Sequence, residues 1–88
     1  KNYKEIFYFQ DGGECDFVIK EGIKIIKAIQ VCYDLNDDNK EREINGIKKV
    51  LEKFGLKEGL ILTFNQEDEF KIDGKKIKIM PVWKWLLN

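Results

Sequence analysis

Four residues in the N-terminal third of the chain carry side chains that could bind a metal or act on a phosphate. Glu14 and Asp16 lie in one apolar segment, and Gln30 and Cys32 lie in the next, with Gln30 14 positions after Asp16. Metal-assisted cleavage of a phosphodiester needs hard oxygen ligands for Mg²⁺ and a cation near the attacking water. The two carboxylates, the neutral oxygen of Gln30 and the backbone carbonyl of Val31 could supply the oxygens. Cys32 cannot supply the ammonium group that a lysine would bring.

The segments that carry these residues have the pattern of antiparallel β-strands. Aromatic and β-branched residues alternate with polar ones over 5–10, 14–19 and 23–34, and glycine-containing turns at 11–13 and 20–22 separate them. The sequence therefore predicts a three-stranded meander.

The length of the second turn decides whether Asp16 and Gln30 can meet. A three-residue loop at 20–22 pairs Ile19 with Ile23 and puts Asp16, Gln30 and Cys32 on one face, but Asp16 then lies across from Ile26. A two-residue loop would put Asp16 and Gln30 on opposite faces. In the three-residue register, only a bulge or splayed strands would bring the two residues together.

The rest of the chain predicts one main helix and three more strands. The helix begins after Asp38 or Asn39 and stops at Gly55. A buried strand over 60–64, a hairpin over 70–80 and an aromatic closing segment over 82–87 follow. The predicted order is β-β-β-α-β and a hairpin, which is an α/β fold (α+β by stricter sorting) with a mixed sheet of four to six strands. Four apolar residues form the stripe that packs this helix on the sheet: Ile44, Ile47, Leu51 and Phe54.

Length and composition limit the possible domain organisation and classes of function. The 88 residues suit one domain over 1–88, and the 16 basic and 16 acidic residues cancel, which argues against a strongly basic nucleic-acid-binding protein. There is no His and the two cysteines lack CxxC spacing, which argues against a zinc site. No apolar run reaches the ~18 residues of a membrane helix, and we expect a cytoplasmic protein without a membrane partner. Because the first residue is Lys1, we expect a fragment of a longer chain.

Four segments together resemble a known family, and their order extends the resemblance over nearly the whole chain. They are Glu14–Ile19, Ile29–Leu35, Arg42–Ile44 and Ile79–Leu87. They look like the C-terminal domain of archaeal-type AAA+ ATPases, a nuclease-like module similar to the PD-(D/E)XK restriction-endonuclease-like superfamily. The resemblance implies a restriction-endonuclease-like core, α-β-β-β-α-β, which this chain matches except for its first helix.

The resemblance also assigns roles to individual residues. Asp16 matches the first metal carboxylate of the superfamily, Gln30 matches its second acidic position, and Cys32 stands at its lysine position. Lys24 or Lys27 could lend the missing ammonium, although nothing in the sequence favours either. The implied function is a catalytically degenerate nuclease-like domain of a predicted ATPase, serving interaction or nucleic-acid binding, and this stretch is not itself expected to be an enzyme. The implied partners are the rest of the ATPase chain and nucleic acid.

Two alternatives to this function stay open. The first is an active Mg²⁺-dependent deoxyribonuclease that uses Glu14, Asp16 and Gln30 as metal ligands. The second is a module for homo-oligomerisation. The sequence contains no phosphate-binding GxxxxGK[ST] motif, so any ATP chemistry would belong to another part of a longer protein.

Three basic residues are candidates for contact with a phosphate or a partner: Arg42, Lys75 and Lys76. Arg42 is the only arginine and could instead form a surface ion pair with Asp38 or Glu41. The two lysines could simply block edge-to-edge pairing of an exposed hairpin.

Overall fold

The computed structural model describes residues 4–11 and 14–87, and it describes the surroundings of side chains over 5–6 and 17–87. Six strands and two helices make up this described part. In chain order they are β1 (Lys4–Asp11), β2 (Glu14–Glu21), β3 (Lys24–Val31), α1 (Lys40–Phe54), β4 (Glu58–Thr63), β5 (Asp68–Ile72), β6 (Lys75–Pro81) and α2 (Val82–Leu87). The turn predicted at 11–13 falls on Gly12 and Gly13, which lie outside the described residues.

The strands form one mixed sheet in the order β1-β2-β3-β4-β6-β5. The β1-β2, β2-β3 and β5-β6 pairs are antiparallel, whereas β3-β4 and β4-β6 are parallel. The parallel β3-β4 pair needs a crossover connection, and α1 provides it. The predicted fold class, a mixed sheet with one main helix between the third and fourth strands, is confirmed.

The turn between β2 and β3 is shorter than the predicted loop at 20–22. The strands run up to a Glu21–Lys24 pair, so only Gly22 and Ile23 form the turn. Gly22 has a φ of +66°, a left-handed conformation that glycine adopts without a steric penalty. Ile23 looks like a strand residue in the sequence but is fully exposed at the tip of the hairpin. The three-residue loop was therefore a wrong prediction.

A bulge in β3 then restores the contact that this shorter turn would have removed. The pairing shifts by one residue between the Lys20–Ile25 and Ile19–Lys27 pairs, and Ile26 is the extra residue. A one-residue shift in register moves every later side chain to the other face. The two-residue turn and the bulge therefore compensate for each other.

The result is that Asp16 lies directly opposite Gln30 in the ladder, rather than across from Ile26 as the simple register predicted. The ladder also continues past the end of β3, since the Cys32 amide donates to the Leu62 carbonyl (2.9 Å) and the Phe64 amide donates to the Tyr33 carbonyl (3.0 Å).

Helix α1 packs on one face of the sheet through a buried stripe. It ends at Gly55, which has a φ of +68°, as the sequence predicted. The approach to β4 is close, because a Cβ atom on Gly59 would lie 3.0 Å from Cδ1 of Ile47 and 3.1 Å from Cδ1 of Leu51. The stripe consists of Glu43, Ile44, Ile47, Val50 and Leu51.

Two hydrophobic clusters lie on the two faces of the sheet. The larger lies between α1 and the sheet and includes Ile47, Ile61 and Ile77. The smaller lies on the opposite face, where the half-buried Trp85 of α2 packs against Ile29 and its neighbours. No helix in the described part of the chain is both long and apolar enough to cross a membrane.

Candidate functional site

Gln30 lies near the carboxyl end of β3, beneath the first turn of α1. It is 1% exposed, the most buried polar residue among those with described side chains. Its Nε2 donates a hydrogen bond to the backbone carbonyl of Glu43 (2.9 Å) and another to Oε1 of the Glu43 carboxylate. The Gln30 amide thus links the sheet to the helix.

Glu43 is itself buried, at 7% exposure. Its second carboxylate oxygen lies 3.5 Å from Nη2 of Arg42, whose side chain is mostly exposed. A buried carboxylate is tolerated only where hydrogen bonds or an opposite charge compensate for lost hydration, and Gln30 and Arg42 supply both. The surface pair predicted for Arg42, with Asp38 or Glu41, is replaced by this pair with Glu43.

The carbonyl oxygen of the Gln30 amide has no comparable hydrogen-bond partner. Oε1 of Gln30 is buried and accepts no hydrogen bond from the described residues. Leaving a buried acceptor unsatisfied costs about 1–3 kcal/mol. The site therefore contains a neutral oxygen that is open to a donor or a cation.

Cys32 follows on the same side of the sheet and is also buried. Its thiol points toward the Asp34 carbonyl (Sγ to O, 3.6 Å), and Nδ2 of Asn39 lies 3.8 Å from the sulfur. Burial raises the pKa of the Cys32 thiol above its usual range, and the charge of Glu43 raises it further. Cys32 is thus a neutral, enclosed thiol within the hydrophobic core.

The loop between β3 and α1 is held over this site by amide side chains. Oε1 of Gln66 accepts from the Leu35 amide (2.7 Å), and Nε2 of Gln66 donates to the Leu35 carbonyl (2.7 Å). Asn39, at the start of α1, donates to the Asp34 carbonyl (2.8 Å) and accepts from the Asn36 amide (2.9 Å). The Asn39 side chain therefore orders the loop and makes no capping bond to the helix.

The predicted carboxylates are described only through their backbone. Asp16 is paired with Gln30 and Glu14 with Asp11, whereas the side chains of Glu14 and Asp16 lie outside the described residues. Cys15 likewise lies outside the residues whose side chains are described.

Gln30 fits one position of a magnesium site but not the whole site. Mg²⁺ requires six oxygens in near-octahedral geometry, usually including one or two carboxylates. The open oxygen of Gln30 would serve as a neutral ligand, but the nearby Glu43 carboxylate is taken up by Gln30 and Arg42. Among the residues whose side chains are described, no three acidic, cysteine or histidine side chains converge. The described side chains alone therefore do not make a complete Mg²⁺ site.

Lys75 and Lys76 lie at the other end of the parallel strands, far from Gln30 and Arg42. Nζ of Lys76 is 3.4 Å from the carboxylate of Glu58, and Lys71 is its cross-strand partner. These lysines and Lys57 line an open groove of about 390 Å³. The structure thus brings Gln30, Cys32 and Arg42 together, through Glu43, and separates the lysines from them.

Glu43 and Gln66 are the two residues of the site that the sequence did not reveal. Glu43 carried a readable signal, since it lies four residues before Ile47 and seven before Val50, on the apolar stripe of the helix. A charged residue at a stripe position requires a buried partner. Gln66 carried no such signal, because its contact with Leu35 crosses 31 positions between two loops.

Comparison with known proteins gives a partial relative. The chain is 42% identical over 84 aligned residues to an uncharacterized protein, MJ1544, of the archaeon Methanocaldococcus jannaschii. The match covers 85% of this chain and 18% of that protein, so the chain spans less than a fifth of its relative. No family model and no solved structure matches the chain. The chain is therefore similar to one part of a larger uncharacterized archaeal protein.

Proposed function

We propose that this chain is a nuclease-like domain that has lost catalysis and serves, within a larger ATPase, for interaction or nucleic-acid binding. The strand and helix order supports the nuclease-like ancestry, as does the pairing of Asp16 with Gln30. The 18% coverage of MJ1544 is consistent with a place inside a longer polypeptide.

One observation supports the loss of catalysis: Gln30, which stands at the proposed second acidic position, forms hydrogen bonds that hold the sheet and the helix together. Gln30 donates both described bonds to Glu43 and thereby joins β3 to α1. Next to it, Cys32 offers a buried thiol in place of an ammonium. A nuclease of this type needs a second carboxylate and a cation for its attacking water, and the described side chains at these two positions supply neither.

Calorimetric titration with Mn²⁺ tests this proposal directly. We expect no saturable site that depends on Asp16, so wild type and Asp16→Ala should give the same heats. Asp37→Ala is the matched control, because Asp37 is an exposed carboxylate in the loop before α1. A site present in wild type and in Asp37→Ala but absent from Asp16→Ala would count against the proposal.

An active Mg²⁺-dependent deoxyribonuclease is the second candidate, and one observation favours it. The bulge at Ile26 is what sets Asp16 opposite Gln30, and the buried Oε1 of Gln30 has no partner among the described residues. A cation held by Asp16, Glu14 and Gln30 would satisfy that oxygen. This candidate predicts that Mg²⁺ stabilises the fold against urea and that Gln30→Met abolishes the stabilisation, whereas the degenerate domain shows neither effect.

A further inference from the structure

The two faces of the sheet are covered unequally. Among the described elements, the 15-residue α1 covers one face and the six-residue α2 packs on the other, which we call the open face. Parallel strands such as β3, β4 and β6 normally carry helices on both faces. On the open face several large apolar side chains remain in solvent: Val31 is 55% exposed, Tyr33 72% and Phe64 59%.

Part of the open face forms a groove of about 620 Å³ beside α2, which we call the Trp85 groove. Leu60 and Met80 contribute to its floor, and Trp85 forms one wall. Lys27 and Lys78 stand on β3 and β6, the two strands that flank β4. Across the sheet two strand spacings separate them, about 10 Å, which is close to the diameter of an α-helix. Along the strands Lys78 is level with Ile29, two residues or about 7 Å beyond Lys27.

The two lysines of the groove form no ion pair within the described chain, whereas the acidic Glu58 of the groove is paired with Lys76. The exposed carboxylate of Glu69, the cross-strand partner of Lys78 on β5, lies beyond ion-pair distance. An occupant that matches this surface must be apolar along its centre and negatively charged along its edges. A free polyanion would satisfy the lysines and leave the apolar floor uncovered.

The length of the apolar strip also fits a helix. From Leu60 to Phe64 the open face extends four strand residues, about 13 Å, which equals roughly nine residues of α-helix. The Tyr33 and Phe64 rings, stacked with centroids 5.1 Å apart, lie at the end of this strip.

We infer that the Trp85 groove is the docking site for an amphipathic helix with Asp or Glu beside its apolar stripe, supplied by another segment of a longer polypeptide that contains this domain. A segment of the same polypeptide is the expected source, because more than four-fifths of the relative MJ1544 lies outside the aligned region. The inference is independent of the nuclease-like ancestry, because none of the groove residues belongs to the Gln30 site.

Designed peptides test the chemistry of the occupant. Two peptides of about 14 residues, roughly four helical turns, share one leucine stripe and differ only in flanking Glu or Lys. Emission from Trp83 and Trp85, the two tryptophans of the chain, reports binding. We expect the Glu-flanked peptide to bind more tightly and to shift the emission to the blue. Equal binding of the two peptides, or binding of neither, would overturn the inference.

Charge reversals on the domain test whether the peptide binds in the Trp85 groove. Lys27→Glu and Lys78→Glu should each weaken the Glu-flanked peptide roughly 2- to 5-fold, the range of an exposed ion pair. Lys49→Glu, an exposed lysine on α1, is the matched control and should leave affinity unchanged. The double reversal of Lys27 and Lys78 should invert the preference toward the Lys-flanked peptide. Unchanged preference in the double reversal contradicts the proposed groove.

The source of the helix is tested on the longer polypeptide by acetylation of its lysines, read by mass spectrometry. Lys27 and Lys78 should react more slowly there than in the 88-residue domain, whereas Lys49 should react equally in both. Equal reactivity at all three lysines would exclude a segment of the same chain. Slower acetylation of Lys27 and Lys78 at higher concentrations of the isolated domain would identify a second copy of the domain as the occupant. A blue shift of the tryptophan emission with oligothymidine, where the Glu-flanked peptide cannot displace the oligothymidine, would identify nucleic acid. Either result overturns the inference.

Discussion

Replacing Gln30 with methionine tests the structural role of this amide. Methionine has a similar length and no hydrogen-bonding amide, so the Gln30→Met side chain should fit while both bonds to Glu43 are lost. The bond to the carboxylate contributes about 1.5–3 kcal/mol and the bond to the carbonyl about 0.5–1.5 kcal/mol. The change also removes the unsatisfied Oε1, which returns about 1–3 kcal/mol. The net expectation is a loss of about 1–2 kcal/mol in the free energy of unfolding.

Urea denaturation measures this loss, and thermal unfolding should show it as a fall of roughly 4–16 °C in Tm. Leu62→Met is the matched control, since it places the same side chain at a buried position of the neighbouring strand β4 without removing a polar contact. Its cost should stay below about 1.5 kcal/mol and should not change with a substitution at Glu43.

A double-mutant cycle gives the sharpest form of this test. Glu43→Leu alone removes the bond from Gln30 Nε2 to the carboxylate and keeps its bond to the backbone carbonyl, whereas Gln30→Met alone leaves a buried carboxylate with only Arg42. Removing both groups should therefore cost less than the sum of the two single changes, because no buried polar group loses its partner. Additive single costs, or a Gln30→Met protein as stable as wild type, would refute the link between β3 and α1.

Three other places in the fold give further predictions. Gly59→Ala should destabilise the protein by about 1–3 kcal/mol, because the new Cβ would meet Ile47 at 3.0 Å; a neutral result in urea unfolding would mean that α1 shifts freely. Iodoacetamide should alkylate Cys32 at neutral pH far more slowly than an unfolded thiol, since burial raises its pKa. That raised pKa also means that stability falls above about pH 8.5, where only the unfolded thiol ionises, and Cys32→Ala should flatten this fall. Hydrogen bonding to Lys48 lowers the pKa of Asp73, so the ionised carboxylate stabilises the fold above about pH 3.9, and this stabilisation is lost as the pH falls further. Lys48→Met should therefore make the loss of stability in acid less steep.

The sequence predicted the order of elements well because the signals were local. Gly55 ended the helix where a left-handed residue was needed, and the stripe of Ile44, Ile47 and Leu51 placed α1 on the sheet. The apolar run over 60–64 predicted a buried strand, which the structure has as β4 with Phe64 beyond its end, and its parallel pairing with β3 followed from the crossover helix.

The register of β2 and β3 was not readable in the same way. Gly22 permits turns of two or three residues, and Ile26 is an ordinary β-branched residue, although it is the extra residue of a bulge. Each feature alone shifts the register by one, and the sequence contains no mark of their combination. The contact of Gln30 with Glu43 was hidden for a related reason, because it depends on how far α1 lies along β3.

Plasmid nicking in the presence of Mg²⁺ or Mn²⁺ tests the central claim most directly, that the nuclease-like site has lost catalysis. Wild type, Asp16→Ala and the control Asp37→Ala should all leave supercoiled plasmid intact at the rate of buffer alone. Metal-dependent nicking by wild type and Asp37→Ala that disappears in Asp16→Ala would contradict the account and establish the site as an active nuclease.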